Sequence, residues 1–406
     1  SWRRRYPLQQ PRRPSTADLI DQAAEPGLDV SLAEKEETGV PGEQDMTSTM
    51  DLPESVEGLT PEWLGWAFRQ RFPGTEVTQV EVVDVMAATA TKIRLRLSYN
   101  AAGQRHGLPP SIIVKGPFGK NTDDMEHTFT HEMMAYRDLV SDIGINTPKC
   151  YFASKQGKNP VWILEDLSLS NAVFGHAQKP LNFAQAAGIL DLHARLHACY
   201  WEDEAIRDDN GRLGWVLRTV TGWHLEYMEM VLRPENWAFY MGLPRGAAVP
   251  RATASDPARL ERALKIQFAR HARDPLTLGH GDAHIANLYF NDTGAGLLDW
   301  EMRRCPWYHD FTYFLCSSLD IVDRRRWERP LLQHYLERLA SHGVAAPDFD
   351  TAFDSYRRDV LYGYVIFLTN GDGTQFWNEP DNVAVTNRFA MAMEDLQTLQ
   401  LIETTS

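Results

Sequence analysis

The chain has 406 residues, 43% hydrophobic and 24% charged, which suits a globular protein with enough apolar material to fill two lobes. Its formal net charge of -14 argues against a nucleic-acid partner, because phosphate backbones call for a basic surface. No apolar run is long enough to span a bilayer, and the four scattered cysteines (Cys150, Cys199, Cys305, Cys316) form no C-x-x-C pair, pointing to reduced thiols in a cytoplasmic protein.

Residues 1–55 read as a disordered segment. The basic, Pro-rich start and the acidic AEKEETGVPGEQD that follows carry too little apolar surface to offset chain entropy. The first residues are Arg-rich, as in targeting segments, but acidic residues follow soon; Met46 and Met50 are candidate starts. Thr60-Pro61-Glu62 then opens a helix, with a hydroxyl cap, a proline in the first turn and an acid at the positive end of the dipole.

Alternation predicts strands over 77–85 and 92–99, joined by a loop of small residues, MAATAT. A third strand, SIIVKGP (111–117), places Lys115 in an otherwise apolar segment, where a lone ammonium would be costly. The helical stretch 123–144 offers the partner, Glu132, beside an apolar stripe of Met125, Phe129, Met133, Tyr136 and Val140. Strands at 149–154 and 161–167 complete a five-stranded sheet.

From about 168 the pattern is mostly helical. Residues 182–201 are apolar on more than one face, which predicts a central buried helix with His193 and His197 as core histidines. The segment 205–275 is rich in aromatics, among them Trp215, Trp223, Tyr227, Trp237, Phe239 and Tyr240, which either wall an apolar acceptor or pack the lobe. Arg324 to Arg326 read as a solvated helix face. Tyr362 and Trp377 are candidates to reach a substrate cleft.

The chemistry concentrates in LGHGDAHIANLYFNDTGAGLLDWE, residues 278–301. Asp282 is followed five positions later by Asn287, then by a Gly-rich turn and a strand that ends at Asp299. Phosphoryl transfer asks for this set: a carboxylate to orient and deprotonate a hydroxyl, and oxygens to hold Mg²⁺ against phosphates. The Asp-to-Asn step is that of the kinase pattern H-R-D-x-x-x-x-N, with Asp299-Trp300-Glu301 in the place of D-F-G. A second reading takes His280, Asp282 and His284 as an H-x-D-x-H zinc site of a hydrolase.

The motif resembles that of the aminoglycoside phosphotransferase and choline kinase-like family of small-molecule kinases, including its ecdysteroid kinase-like branch. The resemblance runs from about residue 60 to the C-terminus. It implies an α+β, protein-kinase-like bilobal fold: a nucleotide-binding small lobe over 56–167, with a five-stranded antiparallel sheet and one helix, and a large helical lobe over 168–406. It further implies ATP and Mg²⁺ as cofactors. Ala88 and Thr89 would lie in the nucleotide-positioning loop, and Lys115 aligned by Glu132 would hold the non-transferred phosphates. The backbone of Glu165 to Leu167 would read adenine. Asn287 and Asp299 would hold the metal, Asp282 would be the catalytic base, Glu301 an accessory group, and Asp310 an anchor of the catalytic loop. The expected activity is phosphorylation of a hydroxyl on a small molecule, with the aromatic content favouring a hydrophobic alcohol. The rival from another class is a nucleotide-binding pseudokinase or scaffold.

Overall fold

The computed structural model describes residues 50–86, 90–118, 126–219, 223–247, 249–250, 256–370 and 377–404. Residues 50–55, within the segment expected to be disordered, pack on the small lobe. Leu52 is buried in the small-lobe core, its N–H donates to Gln156 Oε1 at 2.8 Å, and the Pro53 carbonyl accepts from Asn159. With the Gln156 amide donating to Asp51, one apolar side chain and three hydrogen bonds tie this stretch to the sheet edge.

Helix α1 (Pro61–Arg69) starts where Thr60 caps the N–H of Trp63, and it buries Trp63, Leu64, Ala67 and Phe68. The sheet that these residues cover is wholly antiparallel. Its strands are β1 (Val77–Met86), β2 (Thr91–Tyr99), β3 (Ser111–Gly116), β4 (Cys150–Gln156) and β5 (Asn159–Glu165), in the spatial order β1-β2-β3-β5-β4. Pleating sorts the two faces of β3. Ile112 and Val114 join Ile93, Leu95 and the α1 side chains in one core, while Ile113 and Lys115 face the other way. β5 ends two residues earlier than expected, because Asp166 caps a 3₁₀ turn over Leu167–Ser170 by accepting from the Ser168 N–H.

Helix α2 (Glu126–Asp138) crosses the second face of the sheet. The expected single helix over 123–144 breaks at Leu139, whose φ of -128° and ψ of -48° are not helical, and a short turn over Val140–Ile143 follows. Phe129, Met133 and Tyr136 of α2 and Trp162 of β5 belong to the same core as the large lobe. The sheet is thus covered on one side by α1 and on the other by α2 and the lobe below.

The large lobe is built around α3 (Phe183–Cys199), which opens with an Asn182–Gln185 capping box and buries Ile189, Leu190, His193, Leu196 and His197. After α4 (Trp223–Val231), α5 (Pro234–Met241) and α6 (Pro257–His271) come the strands of two small antiparallel sheets, one of which also takes in Val173–Phe174. β6 (Leu276–Gly279) pairs with β9 (Arg303–Pro306), and β7 (Leu288–Asn291) pairs with β8 (Gly294–Leu297). The chain then continues as α7 (Tyr308–Ser318), α8 (Ile321–Ser341), α9 (Phe349–Thr369), α10 (Glu379–Asp395) and α11 (Thr398–Thr404). Among the described residues no helix is long and apolar enough to cross a membrane.

The Arg324–Arg326 reading is corrected here. Arg325 and Arg326 are exposed, but Arg324 is buried and pairs with Glu328 at 2.5 Å and with Asp395. A helix turns 100° per residue, so three consecutive arginines cannot share one face, and the first turns inward. Removing one partner of a buried pair strands the other charge. Arg324→Ala is therefore expected to destabilise the fold by about 3 kcal/mol in urea denaturation, against about 0.5 kcal/mol or less for Arg326→Ala.

Candidate active site

Four charged side chains meet where the sheet faces the large lobe. Lys115, with 3% of its side chain exposed, donates to Glu132 Oε1 at 2.5 Å and to Asp299 Oδ1 at 2.9 Å. Asp299 Oδ2 accepts from Lys92 Nζ at 2.7 Å. Burial pushes the Lys115 ammonium down, but the carboxylates of Asp299 and Glu132 outweigh it and hold it above its ordinary value. Burial likewise pushes Asp299 up, and the two lysines overcome it and drive the carboxyl far below the usual range. For Glu132 burial dominates and the shift is upward, with Lys115 offsetting only part. Asp299 also has a left-handed backbone, φ 57°, uncommon for a residue with a Cβ. Strain of this kind persists where the surroundings over-determine a conformation.

The stretch 280–287 is held from beneath by Asp310, which is buried at the start of α7. Its Oδ2 accepts from the His280 N–H at 2.5 Å and from His197 Nε2 at 3.1 Å, and its Oδ1 accepts from the Gly281 N–H at 3.0 Å. Gly281 has φ 84°, and a Cβ there would run into the Glu301 carbonyl, so glycine is required between His280 and Asp282. The His280 ring lies on Trp300, 4.6 Å between centroids. One of its nitrogens accepts from the Asp282 N–H and the other donates to the Leu298 carbonyl.

Asp282 is placed by these contacts and by Asn287. The Asn287 amide donates to the Asp282 backbone carbonyl at 2.9 Å and to Oδ2 at 3.1 Å. Its own Oδ1 is left without a hydrogen-bond partner among the described residues. His284 Nε2 lies 3.4 Å from the same Oδ2. Burial would raise the Asp282 carboxyl, but His284, His280 and the Asn287 amide prevail and keep it below its ordinary value. Asn287 and Asp299 are neighbours because β7 and β8 pair Leu288 with Leu297, and the Leu298 N–H donates to the Asn287 carbonyl at 3.1 Å. The hairpin thus brings an amide oxygen and a carboxylate together at its open end.

Beside Asp282, Glu301 accepts from Arg303 Nη2 at 2.6 Å, and burial raises its carboxyl despite that partner. Trp377 packs edge-on to His284 at 5.1 Å, and Phe367 at 6.0 Å. Burial raises the Tyr313 phenol well above its ordinary value, and the nearby Asp282 carboxylate adds to the shift. Tyr362 stacks edge-on against His309 and packs on Tyr313. Trp237 and Tyr240 are core residues, whereas Phe239 is exposed.

Ala88 and Thr89 lie outside the described residues. Of the expected adenine-reading backbone, the Glu165 N–H already donates to the Lys149 carbonyl at 2.8 Å. That donor is not free for a base, whereas Leu167 opens a 3₁₀ turn and its N–H has no partner within the turn. The H-x-D-x-H zinc reading meets a geometric obstacle: both ring nitrogens of His280 are taken by backbone groups, and His284 Nδ1 accepts from the Ala286 N–H. The grouping of metal-type side chains among the described residues is elsewhere, at His271, His309 and Asp359. There Asp359 accepts from both imidazoles and from Gln267.

Two participants were not singled out by sequence reasoning. Lys92 falls at the start of the strand expected over 92–99, where nothing local gives it a role. His197 was read as a core histidine, and it supports Asp310. Both roles depend on pairings that span more than a hundred residues, Lys92 to Asp299 and His197 to Asp310.

A family model described as the ecdysteroid kinase-like family matches residues 84–202 and 246–344, more than half of the chain. No curated protein sequence matches significantly. Solved structures with a similar fold include aminoglycoside phosphotransferase APH(3'')-Id from Streptomyces rimosus, in complex with ADP and streptomycin. It is 15% identical at a TM-score of 0.41, over 69% of this chain and 91% of that one. A putative fructosamine-3-kinase from Haemophilus somnus is 10% identical at a TM-score of 0.44, over 80% and 95%. One from Thermobifida fusca is 15% identical at 0.43, over 80% and 98%. At such scores the family match, rather than these structures, carries the assignment.

Asp310 also sets a dependence on acid. Burial would raise its carboxyl, but the hydrogen-bonding His197 and the neighbouring His193 and His280 hold it far below the carboxylate range. The unfolded chain therefore takes up this proton first as pH falls. The stability Asp310 supplies is full above about pH 4 and is lost progressively below it. Asp310→Asn is expected to lower stability at pH 7 by about 3 kcal/mol, since an amide cannot accept from all three N–H groups. It should also make the decline from pH 5 to pH 3 shallower. Urea denaturation across that range checks both, and an unchanged slope counts against the clamp.

Proposed function

Because this chain belongs to the ecdysteroid kinase-like family, and so to the small-molecule phosphotransferases of the kinase-like superfamily, we propose that it transfers a phosphoryl group from ATP to a hydroxyl of a small molecule. Mg²⁺ would assist, in a site formed between a nucleotide-binding lobe (56–167) and a catalytic lobe (168–406). The observation that carries this reading is the convergence of Lys92 and of Lys115, itself held by Glu132, from the sheet side on Asp299 of the other lobe.

The residues suit such a cofactor. Asn287 and Asp299 offer hard oxygens at one hairpin end, and Lys115 offers a buried cation held charged by its partners. Bound Mg²⁺ would neutralise charge developing on the phosphates. Asp299 and Asn287 would hold it, and Lys115, kept in place by Glu132, would bind the non-transferred phosphates. The Leu167 N–H is the hinge donor available to adenine. Asp282, ionised at neutral pH, would accept a hydrogen bond from the acceptor hydroxyl, orient it and take its proton as the phosphoryl group leaves the donor. Asn287 and His284 hold its Oδ2, and the Tyr313 hydroxyl also reaches the carboxylate. The aromatic surroundings of His284, Trp377 and Phe367 among them, favour a hydrophobic alcohol over a sugar.

Asp282 separates this reading from that of a nucleotide-binding scaffold, since binding alone has no use for a base. Asp282→Ala is expected to lower turnover of the best alcohol in a library by ~10² to 10⁴. ATP affinity in the presence of Mg²⁺ should change by no more than about twofold, a difference worth only ~0.4 kcal/mol. Thermal stabilisation by ATP with each alcohol identifies the acceptor. A wild-type protein that binds ATP but phosphorylates no alcohol would favour the scaffold.

A further inference from the structure

We propose that Lys92 is a second phosphate-binding cation of this site, pairing with Asp299 before the nucleotide enters and passing to a phosphate oxygen once Asp299 holds the metal. The inference rests on the reading of the site as a nucleotide site.

The argument starts with register. β2 and β3 are antiparallel, and Lys92 stands directly opposite Lys115. Side chains so paired project from the same face with their Cβ atoms about 5 Å apart. Like charges in this position destabilise a sheet unless something anionic lies between them. Here that anion is Asp299, whose two oxygens accept from one lysine each, at 2.7 and 2.9 Å.

The two lysines are not equivalent. Lys115 is buried and has a second carboxylate, Glu132. Lys92 is 28% exposed, and Asp299 is its one ion-pair partner among the described residues. A carboxylate that coordinates a divalent cation cannot also neutralise two ammonium groups. When Asp299 is so engaged, Lys115 keeps Glu132, while Lys92 is left as an uncompensated cation at the mouth of the site. A phosphate oxygen is the anion at hand. Lys92 also lies just past the loop expected to position the nucleotide, and a flexible point charge there can follow the phosphates.

The test is calorimetric titration of the full chain, with Mg²⁺ present, by ATP, ADP and adenosine. Wild type, Lys92→Met, Lys92→Arg and Lys115→Met are compared. Lys92→Met should weaken ATP binding about ten- to a hundredfold, the loss of one charge-assisted hydrogen bond. Adenosine binding should be unchanged, and Lys92→Arg should restore most of the loss. Wild-type ATP affinity in Lys92→Met, or an equal loss for adenosine, overturns the inference. If Lys115→Met weakens ATP binding while Lys92→Met does not, only the Lys92 role falls. If the wild type binds ATP no more tightly than adenosine, the nucleotide reading falls with it.

Discussion

A single ammonium group, Lys115 Nζ, lies between two carboxylates that reach it from different parts of the fold, Glu132 on α2 and Asp299 beyond β8. It is almost fully enclosed, as is Glu132, so water cannot relieve that pair, while Asp299 keeps part of its side chain open to solvent. Such a group is tolerated only where the geometry of its partners is closely defined. That requirement reaches far. β3 must present Lys115 on the face away from the α1 core. α2 must lie across that face with Glu132 inward. The β7–β8 hairpin must deliver Asp299, in a left-handed conformation, from below. The same ion pairs thus orient the lobes and charge the site.

The stretch 280–287 obeys a different constraint, the need to satisfy backbone groups in a buried loop. Asp310 accepts the N–H groups of His280 and Gly281, and His280 answers the Asp282 N–H and the Leu298 carbonyl. Polar groups below the loop are consumed in fixing it. The Asp282 carboxylate is not used in that support; it is itself held by the Asn287 amide and His284. A site supported this way keeps its functional atoms in place without using them. His197, seemingly an idle core histidine on α3, is part of that support because its Nε2 completes the Asp310 shell.

Much of this was legible in the chain itself. The spacing of Asp282, Asn287 and Asp299 pointed to the family that the chain belongs to, and Lys115 in an apolar strand demands a partner that Glu132 supplies, since each signal is local. Strand and helix positions followed from alternation and capping, with errors where a local cap or a helix break intervened, at Asp166 and Leu139. Periodicity misread Arg324, because a run of arginines looks solvated until the facing helix brings Asp395 to it.

The sequence by itself therefore determined the family and singled out the Lys115–Glu132 pair, because motif spacing and charge in an apolar segment are properties of short stretches. Tertiary structure alone decided which cation stands beside which, that Lys92 opposes Lys115, that Asp299 answers both, and that the Glu165 N–H is already taken. Those facts follow from strand register and from contacts between residues far apart in the chain, and a one-residue slip in pairing would have turned Lys92 to the other face of the sheet.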